Sequence, residues 1–230
     1  MRVLIVGGGA REHALAWQLA KDEDVEVIGA PGNAGIAALG RVVEVDPTDA
    51  AQVVALADQE QADLVVVGPE APLVAGVVDA LREHGIDAFG PDREAAQLEG
   101  SKIFSKEFMD RHDIPTAGFA VFDDADAATA YIEEANRPLV VKADGLAAGK
   151  GVIVASTEKE ARDAVRRMMT ERSLGAAGGR LVLEQCLAGD EVSFFALSDG
   201  SKVLPMASAQ DHKAAFDGDK GPNTGGMGCI

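Results

Sequence analysis

Short apolar runs alternate with segments of helical period over the first hundred residues. Val3-Leu4-Ile5-Val6 is a run of strand length that ends in Gly7-Gly8-Gly9. The next segment, Ala10 to Ala20, sets Ala10, Ala14 and Trp17 on one helical face, with Leu15 and Leu19 alongside. Val25 to Ile28 predicts a second strand, closed by Pro31-Gly32-Asn33, and Val42-Val43 with Val45 a third. Thr48 is the expected cap of a helix whose Val53, Leu56 and Ala57 share a face. Leu64 to Val67 predicts a fourth strand entering Gly68-Pro69, a helix covers 72–82, and Ile86 to Phe89 form a fifth strand before Gly90-Pro91. Such repeated β-α-β units predict a doubly wound parallel sheet with helices on both faces.

The pattern changes near residue 100. Ser101 to Arg111 is a basic-containing helix ended by Ile114-Pro115, and Asp123 to Glu134 is a helix with Ala128, Tyr131 and Ile132 on one face. Leu139 to Lys142 and Val152 to Ala155 are strands joined by a glycine-rich loop. Thr157 with Glu160 makes a capping box for a helix lined by Ala161, Ala164, Val165 and Met168. Leu181 to Glu184 and Val192 to Leu197 are the remaining expected strands, the second opening a further sheet. The organisation read from this is an α/β domain over 1–100, then 101–230, with a flap-bearing part over 122–190 and the start of another sheet over 191–230.

Composition narrows the class. With 47% hydrophobic and 26% charged residues the chain is globular, and 26 glycines beside one Trp and one Tyr suit tight strand-to-helix turns. No apolar run approaches the ~18 residues of a membrane span, and no basic, then apolar, leader is legible at the start, so a cytoplasmic protein is expected. A net charge of −17 argues against a nucleic-acid partner. Cys186 and Cys229 lack metal-ligand spacing and are expected to be reduced thiols.

Several stretches carry candidate chemistry. Gly7-Gly8-Gly9 lies at a strand-to-helix turn, where glycines permit close approach and a helix start offers N–H groups to phosphate. G-x-G-x-x-G would need glycine at position 12, which is Glu12, and no ribose-binding acid ends the second strand. A phosphate or sugar-phosphate site, helped by Arg11 and His13, stands against a plain tight turn. Glu70, after Gly68-Pro69, lies where an acid can accept from ribose hydroxyls or an amine, or is simply a loop acid. Lys142 ends a strand before Gly145, Gly149, Lys150 and Gly151, a pattern for a flap over phosphates. It is no Walker loop, since Gly151 and a strand follow Lys150; the plainer alternative is a mobile hairpin with solvated lysines. Glu184-Gln185-Cys186-Leu187 can present strand-edge backbone to an adenine, with Glu191 near a ribose. Asp211-His212-Lys213 and Gly221 to Gly228 form a final amide-rich segment suited to small anions, or a disordered terminus. His84 and His112 read as surface residues.

In this order the stretches resemble the phosphoribosylamine–glycine ligase (glycinamide ribonucleotide synthetase) family of the ATP-grasp superfamily. Gly7 to Trp17, Pro31 to Gly35, Gly68 to Leu73, Leu98 to Lys102, Lys142 to Gly151, and Gln210 to Lys213 with Gly221 to Gly228 carry the resemblance. It implies a pre-ATP-grasp α/β domain followed by part of an ATP-grasp domain. The implied activity joins glycine to 5-phosphoribosylamine at the expense of ATP, through a glycyl phosphate. By matching position, Lys102 and Lys142 would hold ATP phosphates under the 145–151 flap, which includes Gly149, Lys150 and Gly151. Glu184 to Leu187 would frame adenine and Glu191 the ribose. Gly8, Gly9, Arg11 and Glu70 would face phosphoribosylamine, and Asp211, His212, Lys213, Asn223, Thr224 and Gly225 the acyl-acceptor side. The family's Mg2+ or Mn2+ ligands, a Glu and an Asn, are expected in a continuation past the final loop, so this chain is expected not to complete the reaction by itself. Two other classes stand beside it: a dinucleotide-dependent oxidoreductase, disfavoured by Glu12 and the flap, and a non-catalytic nucleotide-binding module.

Overall fold

The computed structural model describes residues 1–147, 151–218, 220–224 and 226–230, with the backbone alone for Ala176, Pro222 and Asn223. The chain divides into two compact units, Met1–Asp113 and Ile114–Ile230. The helix Lys102–Arg111, expected after the boundary at 100, lies in the first unit.

In the first unit β1 (Arg2–Gly7), α1 (Ala10–Leu19), β2 (Glu26–Pro31), α2 (Ala34–Ala37), β3 (Arg41–Val42), α3 (Ala50–Gln59), β4 (Leu64–Val67), α4 (Glu70–Ala75), α5 (Val77–Glu83), β5 (Ala88–Phe89), α6 (Gln97–Gly100) and α7 (Lys102–Arg111) follow in order. The strands form one parallel sheet in the order β3-β2-β1-β4-β5. Both faces are covered. Leu4, Val6, Ile28, Ala30, Val65 and Val67 pack with Val53, Leu56, Val77 and Leu81 of α3 and α5. Val3, Ile5, Val27 and Val66 pack on the other side with Ala16 and Ile36 of α1 and α2. Uninterrupted apolar strands are what a parallel sheet buried on both faces requires.

Several expectations are corrected here. Ala10, Ala14 and Trp17 are exposed, Trp17 by 53%, and α1 instead buries Glu12 and Ala16. A small Ala16 lets the helix approach the sheet closely, while the Trp17 ring lies under Lys21 Nζ, 3.4 Å from its centroid. Asp49, not Thr48, caps α3 by accepting from Gln52 N–H at 3.1 Å; the Thr48 hydroxyl donates to Asp46. The single helix expected over 72–82 is two, because Gly76 adopts φ +88 and breaks the hydrogen-bond ladder between α4 and α5. Strands β3 and β5 are shorter than their apolar runs: Val43 keeps one bond to the Gly29 carbonyl at 2.9 Å, while Val45 and Ile86 lie outside the strands, and all three still pack against the core.

The second unit contains β6 (Phe119–Phe122), α8 (Ala125–Ala135), β7 (Leu139–Ala143), β8 (Val152–Ala155), α9 (Glu158–Val165) and β9 (Leu181–Gln185). Their strands form an antiparallel sheet in the order β6-β9-β7-β8. Leu139, Val141, Ala143, Leu181 and Leu183 face Ala128, Ile132, Ala161, Ala164, Val165 and Met168, the helical stripes expected from the sequence. The Thr157–Glu160 capping box forms, and Met168 sits in a π-helical turn, Arg166–Thr170. β6 is an element the sequence reading did not identify. The strand expected over Val192 to Leu197 is also corrected: only Ala196–Ser198 (β10) pairs, with Val203–Pro205 (β11), and Ser193 makes an isolated bridge to Ala209. Ala214–Phe216 (β12) and Lys220–Asn223 (β13) form a second two-stranded ribbon. Phe194 and Val192 are exposed, so no packed layer imposes a longer strand there.

Candidate active site

In the first unit the candidate residues gather at the carboxyl ends of β1, β2 and β4, where the strand order reverses between β1 and β4 and ligands bind in open α/β sheets. The Glu12 side chain, at the third position of α1, turns back to the helix start, and its carboxylate accepts from Gly9 N–H at 2.6 Å. Arg11 Nη1 donates to the Gly68 carbonyl at 2.9 Å. The Asn33 amide donates to the carbonyls of Gly8 and Gly9 at 3.0 and 3.1 Å, and its oxygen caps α2 by accepting from Ile36 N–H at 2.9 Å. Gly8 has backbone room for nothing larger, since the Gly32 carbonyl oxygen lies 2.5 Å from where a Cβ would stand. Glu70 opens α4 directly after Gly68-Pro69. At this helix start a carboxylate holds the Gly9 N–H, and Arg11 holds a carbonyl. Sequence reasoning singled out neither Glu12 nor Asn33 as a site residue. The signals were present, in an acid at the third fingerprint position and an Asn ending β2.

In the second unit the centre is an ion pair. Lys142 Nζ lies 2.8 Å from Glu184 Oε2, with the Glu184 side chain almost fully buried. Register explains the meeting: Lys142 opposes Val182 and Glu184 opposes Val140, so the pair is diagonal across β7 and β9. Both lie on the sheet face away from α8 and α9, beside the apolar Val140 and Val182. The pair fixes the Lys142 ammonium against a carboxylate that is itself buried.

Glu184 is not at a strand edge. Its strand is central, opposing both Phe119 and Val140, and Gln185 N–H donates to the Gly118 carbonyl at 2.8 Å. The chain leaves the sheet only at Cys186 and Leu187, which are therefore the residues of this segment whose backbone lies beyond the ladder.

The loop after Lys142 closes on itself where Ala143 N–H donates to the Gly151 carbonyl at 2.8 Å. Gly145 has φ +89, and a Cβ on Gly151 would come 2.7 Å from Ala147 Cβ. Gly149, Lys150 and Gly225 lie outside the described residues, as does the side chain of Asn223.

Farther along, Lys213 pairs with Glu191 and lies 3.8 Å from Asp211. The hydrogen bond that Lys213 donates to Glu191 raises the Lys213 pKa above its ordinary value, against a smaller lowering by desolvation. Thr224 binds the Lys213 carbonyl through both N–H (2.8 Å) and hydroxyl (2.9 Å), and Met227 N–H donates to the His212 carbonyl at 2.7 Å. The structure thus brings Glu191, Asp211, His212, Lys213 and Thr224 together. Lys102, the first residue of α7 after the Ser101 cap, belongs to the first unit, and Lys142 to the second. Cys186 and Cys229 are free thiols, and His84 and His112 are exposed.

Comparison with known proteins matches residues 1–99 to the phosphoribosylglycinamide synthetase N domain and residues 100–230 to the ATP-grasp (A) domain of the same synthetase. A phosphoribosylamine–glycine ligase of Vibrio parahaemolyticus is 55% identical over the whole chain, which covers 54% of that protein. One of Xanthomonas campestris is 56% identical with the same coverage. The chain spans about half the length of these curated relatives. Among solved structures, the phosphoribosylamine–glycine ligase of Thermotoga maritima superposes with a TM-score of 0.83 at 33% identity, over 100% of this chain and 55% of that one. The biotin carboxylase domain of a Hydrogenobacter thermophilus 2-oxoglutarate carboxylase shares the fold, with TM-score 0.73 at 21% identity over 92% of this chain and 50% of that one.

Proposed function

The chain belongs to the phosphoribosylglycinamide synthetase family, and from that premise we propose that it carries the nucleotide-binding and amine-binding parts of an ATP-dependent ligase. The reaction joins glycine to 5-phosphoribosylamine. A glycine carboxylate oxygen attacks the γ-phosphorus of ATP and ADP leaves, giving glycyl phosphate. The amine then attacks the acyl carbon, and phosphate leaves as glycinamide ribonucleotide forms. Neither step needs a covalent protein nucleophile; positioning and charge neutralisation are the protein's task.

The observation that carries this reading is Lys142 on the sheet face away from the helices, held at 2.8 Å by Glu184 and followed at once by the 145–151 loop. A lysine fixed there can meet phosphate oxygens with little solvent screening. Gly149, Lys150 and Gly151 of the flap cover the phosphates. Cys186 and Leu187 take the adenine edge, with Glu184 acting as the partner that keeps Lys142 in place, and Glu191 takes the ribose. Gly8, Gly9, Arg11 and Glu70 face phosphoribosylamine. Asp211, His212 and Lys213 with Asn223, Thr224 and Gly225 form the acyl-acceptor side.

The family also implies Mg2+ or Mn2+. Among the described residues no three His, Cys, Asp or Glu side chains gather as a metal set. Asp211, the best-placed acid near the chain's end, lies beside the Lys213 ammonium. A divalent ion needs several oxygen ligands, usually including one or two carboxylates it does not share with a lysine. These residues do not fit the metal, and no step is derived through it.

The test is calorimetric titration of ATP into Lys142→Ala and Lys159→Ala. Lys159 lies on the exposed first turn of α9. Lys142→Ala is expected to bind roughly tenfold or more weakly and Lys159→Ala like the parent. Equal affinities in the two variants would remove the nucleotide assignment.

A further inference from the structure

Three glycines make room for one carboxylate in the first unit. A Cβ on Gly68 would overlap Glu12 Oε1, one on Gly9 would come 2.7 Å from Oε2, and one on Gly7 2.8 Å from Cγ. Glu12 is 3% exposed, and among the described residues the Gly9 N–H donates to it. It fills the β1–α1 turn at the reversal of strand order. In dinucleotide-binding sheets the same glycine clearance and first-turn N–H groups serve a phosphate. Here the chain's own anion holds that place.

We propose that Glu12 is a specificity-determining residue of this unit. Its carboxylate excludes phosphate groups from the β1–α1 turn and admits hydrogen-bond donors, an amine or hydroxyls, in their place. An ionised carboxylate only accepts, and it has capacity beyond the single Gly9 N–H. A second anion brought beside it is repelled by the like charge. Arg11, which otherwise could offset that repulsion, is turned to the Gly68 carbonyl. Where this rests on the ligase reading, it orients the substrate: the amine and hydroxyl end of phosphoribosylamine faces Glu12, and its 5-phosphate points away from the turn.

The experiment titrates inorganic pyrophosphate into the isotopically labelled 230-residue chain and follows the amide signals of Gly7, Gly8 and Gly9. Glu12→Gly removes the charge and clears the third fingerprint position. Glu12→Gln keeps an acceptor for the Gly9 N–H, and it decides the matter if Glu12→Gly does not fold. The three signals are expected to stay still in the parent, and a folded variant to bind pyrophosphate at the turn roughly tenfold or more tightly, the effect of deleting one nearby like charge. Movement of the Gly8 and Gly9 signals in the parent overturns the proposal, as do folded variants that bind no more tightly. Ribose 5-phosphate separates the two readings. If it leaves the parent's turn unmoved while the variants gain pyrophosphate, phosphate exclusion stands and the phosphoribosylamine assignment falls.

Discussion

Asn33 joins two elements through one amide. Its oxygen caps α2, and its nitrogen ties the carbonyls of Gly8 and Gly9 to the end of β2. Asn33→Ala removes all three bonds at once; the Gly8 and Gly9 carbonyls are exposed and turn to water, so the lost cap sets the expected loss, about 0.5–2 kcal/mol. Urea unfolding reads this as a lower midpoint at unchanged slope. Lys213 gives a prediction in pH. Its pKa is raised above the ordinary 10.5, first by the hydrogen bond it donates to Glu191. A raised lysine contributes stability that is fully present below the unfolded value and fades as pH climbs through the folded one. The parent is therefore expected to be more stable than Glu191→Gln below about pH 10.5, with the difference shrinking above it. An advantage that grew with pH would contradict the pairing. At this scale the sequence disclosed residue types but not partners. Glu12 was legible only as a missing glycine, because its role depends on Gly68, far along the chain, leaving space for it.

The α4–α5 break belongs to the scale of elements. Gly76 sits at φ +88, and a Cβ there would come 2.5 Å from the Arg93 guanidinium, which bonds the Ala75 carbonyl. Gly76→Ala combines a left-handed backbone penalty with displacement of that side chain, and about 1–3 kcal/mol of destabilisation is expected. An unchanged denaturation midpoint would mean that α4 and α5 can fuse into the continuous helix the apolar spacing suggested. Elements with strong local signals were readable: the apolar strands β1 and β4, the capping box of α9, and the stripe from Ala161 to Met168. Others failed for physical reasons. Val192 to Leu197 has strand composition, but its side chains have no layer to face, so composition alone did not make a strand. β6 is a short apolar run of the same kind as β1 and β4, so its signal was present in the sequence, and pairing with β9 makes it a strand.

Over the whole molecule, the two units carry unequal cores. The parallel sheet buries apolar residues on both faces, and the antiparallel sheet packs its helices on one. Beyond Gln185 the large apolar side chains Leu187, Val192, Phe194, Val203, Leu204 and Phe216 are exposed, so the β10–β11 and β12–β13 ribbons are expected to open most readily. The parallel sheet and the family motifs were legible because both depend on local runs and fixed spacings. The Lys142–Glu184 pair was not, since it requires the β7–β9 register. That pair carries the central claim, that nucleotide binds on the antiparallel sheet beside Lys142. Ligand that binds only the folded state slows opening where it binds. The most direct measurement is amide hydrogen exchange of the chain with and without ATP. Slower exchange over 139–147 and 151–187, with β1, β2 and β4 unchanged, is the predicted result. Protection confined to residues 2–67, or none over 139–187 at saturating ATP, would contradict it.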